Sequence, residues 1–365
     1  MSDLTHPLTP DWVSPPGDTI ADLIDELEWS QRELAERLGF TTKHVSQLIN
    51  GKAPVTEETA VRLERVLGST TRFWLEREAQ YRDALLREEQ ISLLAAQAEW
   101  LKLLPINHMI GCGWIRKFGN KGLQVAECLR FFSVANIEAW EQRYSNAGAA
   151  FRSSDTFTRD GPAVGAWLRQ GEIKAAELSC QRFDLKKFKD VLKELRSLTN
   201  EPDPSVFVPV LIEKCSKAGV AVVFEPAPKK CPVSGATKWL TKHKALIQLS
   251  LRHKSNDHLW FSFFHEAGHI VLHSKSSSFI ETDGRGLDDE KEQEANSFAR
   301  DVLIPPKDAE RLQKIRTSAS AVLAFSREVG IAPGIVVGRM QKEGLIPWTH
   351  LNGMKKRYEW RPNEH

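Results

Sequence analysis

Residues 258–273 constrain this chain more than any other stretch. They read His-Leu-Trp-Phe-Ser-Phe-Phe-His-Glu-Ala-Gly-His-Ile-Val-Leu-His. The run predicts a helix with apolar and aromatic side chains on nearly every side: Trp260, Phe261, Phe263, Phe264, Ile270, Val271 and Leu272. Such a helix must be buried almost all round. Yet it also carries His265, Glu266 and His269. Burying two imidazoles and a carboxylate without partners is costly, and a bound cation offsets that cost directly. Side chains four residues apart stand one turn above each other. Both rings can therefore address one ion, with Glu266 beside it and not ligating. In this His-Glu-x-x-His spacing the histidines hold Zn2+ and the glutamate acts as general base toward a water.

A catalytic zinc takes three protein ligands and leaves one position open. His273 is nearest, but a rigid helix puts it roughly 12 Å of rise from His265, too far for the same ion. A better source lies downstream, in Glu290-Lys291-Glu292-Gln293-Glu294-Ala295-Asn296-Ser297-Phe298-Ala299-Arg300. Ala295, Ala299 and Val302 form the inward stripe of that helix, and Glu292 extends the stripe by one turn. Glu294 is rotated about 200° from Glu292 and is expected to face elsewhere. Glu292 is thus the expected third ligand. Asn296, four residues on, is placed to hydrogen-bond a ligand from behind.

At the other end of the chain, residues 1–17 are Pro-rich and read as an extended arm. Helical spacing then begins at Thr19, with Ile20, Leu23, Ile24 and Leu27 on one face. Ser30 with Glu33 has capping-box spacing and opens a second helix bearing Leu34, Ala35 and Leu38, which stops at Gly39. Thr41 or Thr42 caps a third, with Val45, Leu48 and Ile49, ending at Asn50-Gly51. A fourth follows Thr56 and a fifth begins around Phe73-Trp74-Leu75. Two short helices around a glycine turn form a helix-turn-helix. Its third helix would enter the major groove of a double-stranded DNA operator with Thr42, Lys43, His44, Gln47 and Asn50 outward; Gln and Asn can pair with adenine edges, Lys43 and Lys52 with phosphates. The charge runs against this. Residues 1–85 hold nine Lys or Arg against fifteen Asp or Glu, where DNA binders usually carry a basic footprint.

The run from Trp29 to Gly39, then Val45-Ser46-Gln47-Leu48-Ile49-Asn50-Gly51, residues 60–68 and Phe73-Trp74-Leu75, resembles the HigA-type antitoxins of the Cro/repressor class. That resemblance implies operator binding as a homodimer. Antitoxins of this type also bind a toxin, which makes a toxin an implied partner.

Net charge is +2 over 365 residues and decides nothing about nucleic acid. Cys112, Cys128, Cys180, Cys215 and Cys231 form no CxxC pair and read as reduced thiols of a cytoplasmic protein. No run approaches the length of a membrane span, and the N-terminus lacks a signal-length apolar core. Residues 80–200 read as mostly helical. Pro105 ends a first run, short helices are expected at 112–115 and 125–132, and another at 163–178 turns Trp167 inward. Asp184 is expected to cap 185–198, with Leu185, Phe188, Leu192 and Leu195 inside and Lys186, Lys187, Lys189 and Lys193 solvated. Glu201-Pro202-Asp203-Pro204 reads as a domain boundary.

Beyond it, a helix at 207–217 precedes strands at 219–224, 234–240 and 245–250, with His243-Lys244 in the last turn. Substrates of zinc peptidases commonly add to a sheet edge beside the metal, and residues 245–250 are the expected edge. Residues 206–306 resemble the ImmA/IrrE metallopeptidases. The carrying residues are Ser234-Gly235-Ala236, Trp260-Phe261, His265-Glu266-Ala267-Gly268-His269 with His273, the Glu292–Ala299 segment and Leu303-Ile304-Pro305. The resemblance implies a zincin-like domain in which His265, His269 and Glu292 bind Zn2+, Glu266 is catalytic, and the substrate is a repressor-type protein. Two further helices around Gly330 read as packing elements. The tail, Lys355-Lys356-Arg357-Tyr358-Glu359-Trp360-Arg361, could dock on the domain or on phosphate.

The fold expected is mainly α (α+β). It has a five-helix DNA-binding domain (1–85), a helical region (86–204) and a metallopeptidase domain with a small sheet (205–365). The function expected is a DNA-binding regulator with a zinc endopeptidase, cleaving a repressor-type protein or itself. The rival is a non-enzymatic antitoxin-like repressor whose metal domain senses or stabilises.

Overall fold

The computed structural model describes residues 14–150, 155–229, 231, 233–273, 279–282 and 289–360. The chain divides into two compact units. One comprises Met1–Ala98 with Asn120–Leu123, the other Glu99–Gly119 with Gln124–His365.

The first unit holds α1 (Pro16–Glu26), α2 (Gln31–Leu38), α3 (Thr42–Ile49), α4 (Glu57–Leu67) and α5 (Thr71–Ala96). Each of the last four opens on a hydroxyl cap, which accepts from an otherwise orphan N–H of the first turn. Ser30 takes Glu33 N–H at 3.2 Å, Thr41 takes His44 at 3.2 Å, Thr56 takes Thr59 at 3.3 Å and Thr70 takes Phe73 at 3.1 Å. The apolar stripes meet in a core of Ile20, Leu34, Ala35, Val45, Leu48, Leu63 and Trp74. Residues 1–13 lie outside the described residues, but Pro16 and Gly17 already belong to α1. Proline is favourable at the first helical position, where its missing N–H has no partner to lose.

In the second unit come α6 (Ile106–Gly111), α7 (Lys121–Phe132, whose first residues belong to the other unit), α8 (Ile137–Ala150), α9 (Asp155–Glu177), α10 (Leu185–Ser197) and α11 (Pro204–Ser216). Residues 112–115, expected to be helical, instead form the turn that ends α6: Gly113 adopts φ +71° and Trp114 N–H returns to Met109 O at 2.8 Å. Asp184 caps α10 as expected, accepting from Lys187 N–H at 2.9 Å. Leu185, however, lies at the capped end and is exposed, while Val191 joins Phe188, Leu192 and Leu195 inside.

The sheet follows: β1 (Val220–Phe224), β2 (Val233–Thr241), β3 (Lys244–Leu249) and, later, β4 (Phe279–Thr282), in the order β1-β3-β2-β4. β3 runs parallel to β1 and antiparallel to β2, and β2 is antiparallel to β4. The expectation that 245–250 form an edge is therefore overturned. A tight Lys242-His243 turn folds β3 back on β2, and β1 takes its other side, as suits a strand buried on both faces. The edges are β1 and β4. Side-chain alternation sends Val220, Val222, Ala245, Ile247 and Leu249 to one face and Ala221, Val223 and Leu246 to the other. α9 covers the second face, where Gln248 Nε2 donates to Trp167 O at 2.7 Å.

The first face is covered by α12 (Asn256–Leu272). Trp260, Phe263, Phe264, Ala267 and Ile270 are all buried, as the opening run requires. α13 (Asp289–Leu303) crosses α12 at glycine: a Cβ on Gly268 would stand 3.2 Å from Ala295 Cα. Ala295 and Ala299 are fully buried along that seam, and Leu303 rather than the half-buried Val302 continues it. α14 (Pro306–Leu312), α15 (Ala319–Val329) and α16 (Pro333–Lys342) complete the unit, α16 packing on α12 with Ile335, Val336, Val337 and Met340 buried. The tail docks on the domain. Tyr358 is buried against Phe207, Tyr358 N–H reaches Lys254 O at 2.8 Å, and Lys355 pairs with the buried Asp257 at 2.6 Å.

Candidate functional site

The α12–α13 crossing gathers His265, His269 and Glu292. His265 and His269 are one turn apart and their side chains are essentially sealed, at 1% and 0% exposure, while Glu292 is 23% exposed. Glu292 sits one turn before Ala295, the residue that Gly268 admits, so the tightness of the crossing sets the reach of its carboxylate. The two Nε2 atoms lie 3.0 Å apart, His265 Nε2 is 3.2 Å from Glu292 Oε2, and His269 Nε2 is 3.4 Å from Glu292 Oε1. Bonds of about 2.0–2.1 Å to a tetrahedral ion place ligand atoms roughly 3.3–3.4 Å apart. Two imidazoles and one carboxylate with these separations fit three corners of a zinc site, with a partly exposed acid marking the open side. Among the described residues this is the group of His, Cys, Asp or Glu with such spacing.

The backs of the rings are held too. Asn296 Oδ1 lies 3.1 Å from His265 Nδ1. With Nε2 offered to a cation, the ring proton sits on Nδ1, and Asn296 accepts it. Burial, with the neighbouring His265 and His273 adding to it, pushes the His269 pKa down to about 2. That ring is neutral at ordinary pH and needs no deprotonation before it ligates.

Glu266 is fully buried under β2. Thr237 Oγ1 donates to Glu266 Oε2 at 2.6 Å. Gly235, on the same face of β2, leaves the space the carboxyl fills: a Cβ there would fall 2.7 Å from Glu266 Oε1 and 2.8 Å from its Cγ. Neither Gly235 nor Thr237 had been given a task from the sequence. Strand alternation puts both on one face, but only the packing of α12 shows which face meets the carboxylate. His273 closes α12, outside the three-atom cluster, and its side chain lies between His269 and Glu294. Outside the cluster, His243 lies beside Arg182 at 3.0 Å and His253 stacks on His258 at 4.1 Å.

On α3, Thr42, Lys43 and Gln47 are exposed, as is Asn50 at its C-cap, and His44 is half-buried, its ring edge-on to Phe40 at 4.7 Å. Asn50 Nδ2 donates to Ser46 O at 2.6 Å, so this amide closes the helix end. Arg62 on α4 braces the turn before α3, donating to Leu38 O at 2.9 Å.

A helix-turn-helix unit and a metallopeptidase-like unit in one chain define a class, and comparison with known proteins agrees. Residues 20–75 match the helix-turn-helix family model and residues 215–336 match the IrrE N-terminal-like domain of peptidase family M78. The N-terminal region is similar to two uncharacterized helix-turn-helix-type transcriptional regulators of Escherichia coli K12. YddM is 42% identical over 60 residues, 16% of this chain and 64% of that protein; YbaQ is 32% identical over 92 residues, 24% of this chain and 81% of that protein. The match thus spans less than two thirds of YddM. A solved antidote protein of the HigA family from Coxiella burnetii is 29% identical, with 21% of this chain and 86% of that one covered and a TM-score of 0.21. The chain belongs, by its N-terminal region, to the helix-turn-helix-type transcriptional regulators, and it carries an IrrE N-terminal-like domain behind that region. No single helix among the described residues is long and apolar enough to cross a membrane.

Proposed function

We infer that this chain is a cytoplasmic DNA-binding regulator whose second unit is a zinc endopeptidase acting on a repressor-type protein or on the chain itself. The observation that carries this reading is the pair of histidine Nε2 atoms 3.0 Å apart with one Glu292 oxygen 3.2 Å from the first and the other oxygen 3.4 Å from the second, and the Glu266 carboxylate next to His265 in sequence and held by a hydroxyl. When bound, Zn2+ supplies a Lewis acid for the scissile carbonyl and lowers the pKa of a water toward neutrality. His265, His269 and Glu292 hold the ion, and Asn296 fixes one ring. Glu266 takes the proton of the attacking water and hands it to the leaving amine as the C–N bond breaks. In the first unit Thr42, Lys43, His44 and Gln47 on α3 face the operator and Asn50 ends the reading helix. The acidic balance of residues 1–85 makes a single copy a weak binder, which favours a homodimer on a two-fold operator. A toxin is the partner that HigA likeness suggests.

Glu266 is sealed from solvent, and this favours a second reading in which the metal domain only senses or stabilises. Glu266→Gln separates the two. Proteins from cells making the wild-type chain or the variant are compared for new N-termini by mass spectrometry, and zinc is counted per purified chain. The enzyme reading expects equal zinc and a cleavage product that falls by about 10²- to 10⁴-fold in the variant. Equal zinc, identical N-termini and an unchanged regulatory phenotype would establish the second reading.

A further inference from the structure

α13 meets His269 and His273 with one carboxylate each. Glu292 Oε1 lies 3.4 Å from His269 Nε2. Two residues later, Glu294 Oε2 lies 3.0 Å from His273 Nε2, and His273 Nδ1 lies 3.0 Å from His269 Nδ1. The order is Glu292, His269, His273, Glu294: two imidazoles in series with a carboxylate of one helix at each end. The His273 side chain is 3% exposed, whereas that of Glu294 is 54% exposed.

The proton count along this series has one consistent solution if His269 is to ligate through Nε2. Its Nε2 lone pair then faces the ion and its proton sits on Nδ1. Only an acceptor can meet that proton, so His273 Nδ1 must be bare. The His273 proton is then on Nε2, facing the Glu294 carboxylate, which accepts and cannot donate. The geometry points to Glu294 and His273 as positioning residues that select the metal-binding tautomer of His269. Without Glu294, His273 is free to carry its proton on Nδ1. That proton opposes the one on His269 Nδ1 and drives His269 toward the tautomer with Nε2 protonated, which cannot bind a cation. Asn296 does the same service for His265 in one step; this series takes two and begins at the surface. The assignment rests on the metal reading above.

The test uses the full-length chain and Zn2+ alone, with affinity measured by competition with a chelating dye and the site read separately from the visible spectrum of the Co2+ form. Removing partners behind a metal-bound histidine typically weakens metal binding 10- to 100-fold. Glu294→Ala, at an exposed position that leaves folding intact, is expected to weaken Zn2+ binding about tenfold and to shift the Co2+ spectrum. Glu294→Gln, which keeps an acceptor, should recover part of the loss. His273→Leu should lose at least as much as Glu294→Ala. The double variant should be no weaker than His273→Leu alone, because Glu294 acts only through His273. Affinities within twofold of wild type for Glu294→Ala and His273→Leu would overturn the assignment while leaving the metal reading intact. So would losses that add in the double variant. A wild-type chain that binds no Zn2+ removes the metal reading itself, before any variant is made.

Discussion

Glu266 shows how a single residue is specified by what surrounds it. Its carboxyl is sealed, so its direction is set by Thr237 Oγ1 at 2.6 Å and by the gap over Gly235. Gly235→Ala would put a methyl group 2.7 Å from Oε1 and 3.1 Å from Cδ, too close for the whole carboxyl and not only its tip. The carboxyl must rotate and the Thr237 bond is lost. None of the three ligand atoms moves by this route. The expected result is a zinc content equal to that of wild type, with cleavage slowed at least about tenfold, the scale on which a misplaced general base is felt. Metal analysis beside a cleavage assay checks it, and full activity in Gly235→Ala would show that Glu266 is not the base.

Elements were more legible than their neighbours. The caps at Ser30, Thr41, Thr56 and Asp184 are local chemistry, since each hydroxyl or carboxylate reaches an N–H three residues on, and sequence spacing captures such contacts. α12 was legible because an apolar run that fills 17 residues is too long for a buried strand and fits a buried helix. The meeting of Glu292 with the histidines followed from its place on the Ala295–Ala299 stripe. What could not be read was pairing at a distance. Nothing in residues 244–249 says whether one strand or two will flank them, so β3 passed for an edge. Leu185 was misplaced because a helix end lies beyond the reach of the core it points along. The stack of His273 between His269 and Glu294 needed the crossing of α12 and α13, which no periodicity contains. That crossing yields its own prediction. Gly268→Ala places Cβ 3.2 Å from both Ala295 Cα and Phe298 Cδ1, a squeeze offset by about 1 kcal/mol of helix propensity; stability should change little. Gly268→Val adds two methyl groups with no room to yield and must part the helices. Zinc affinity should then fall more than about tenfold, as Glu292 swings out of reach and the ion loses one of three ligands. Dye competition on both variants measures this, and a valine variant with wild-type affinity would mean that the crossing does not set the position of Glu292.

At the scale of the whole molecule, the two units hold separate cores. One is built on Trp74 and the faces of α1 to α5, the other on α12 and the sheet. The proposed ligand set, His265, His269 and Glu292, belongs wholly to the second. Ligands that bind only the folded state stabilise it by RT ln(1 + [L]/Kd), about 4 kcal/mol at a thousandfold excess over Kd. The benefit reaches only the cooperative unit that contains the site. Calorimetry of the full chain should therefore show two transitions. Zn2+ should raise the one that carries the second unit by several degrees, and a chelator should reverse it, while the transition of the first unit stays where it was. Lys43 and Gln47 sit on that first unit, so a labelled operator duplex should bind the chelated and zinc-loaded forms alike. Affinity for it should fall steeply with salt, as phosphate contacts require. A single transition that shifts as a whole on adding Zn2+, or a duplex affinity that depends on the metal, would mean that the ion controls the DNA-binding end directly and not through the cleavage proposed for the second unit.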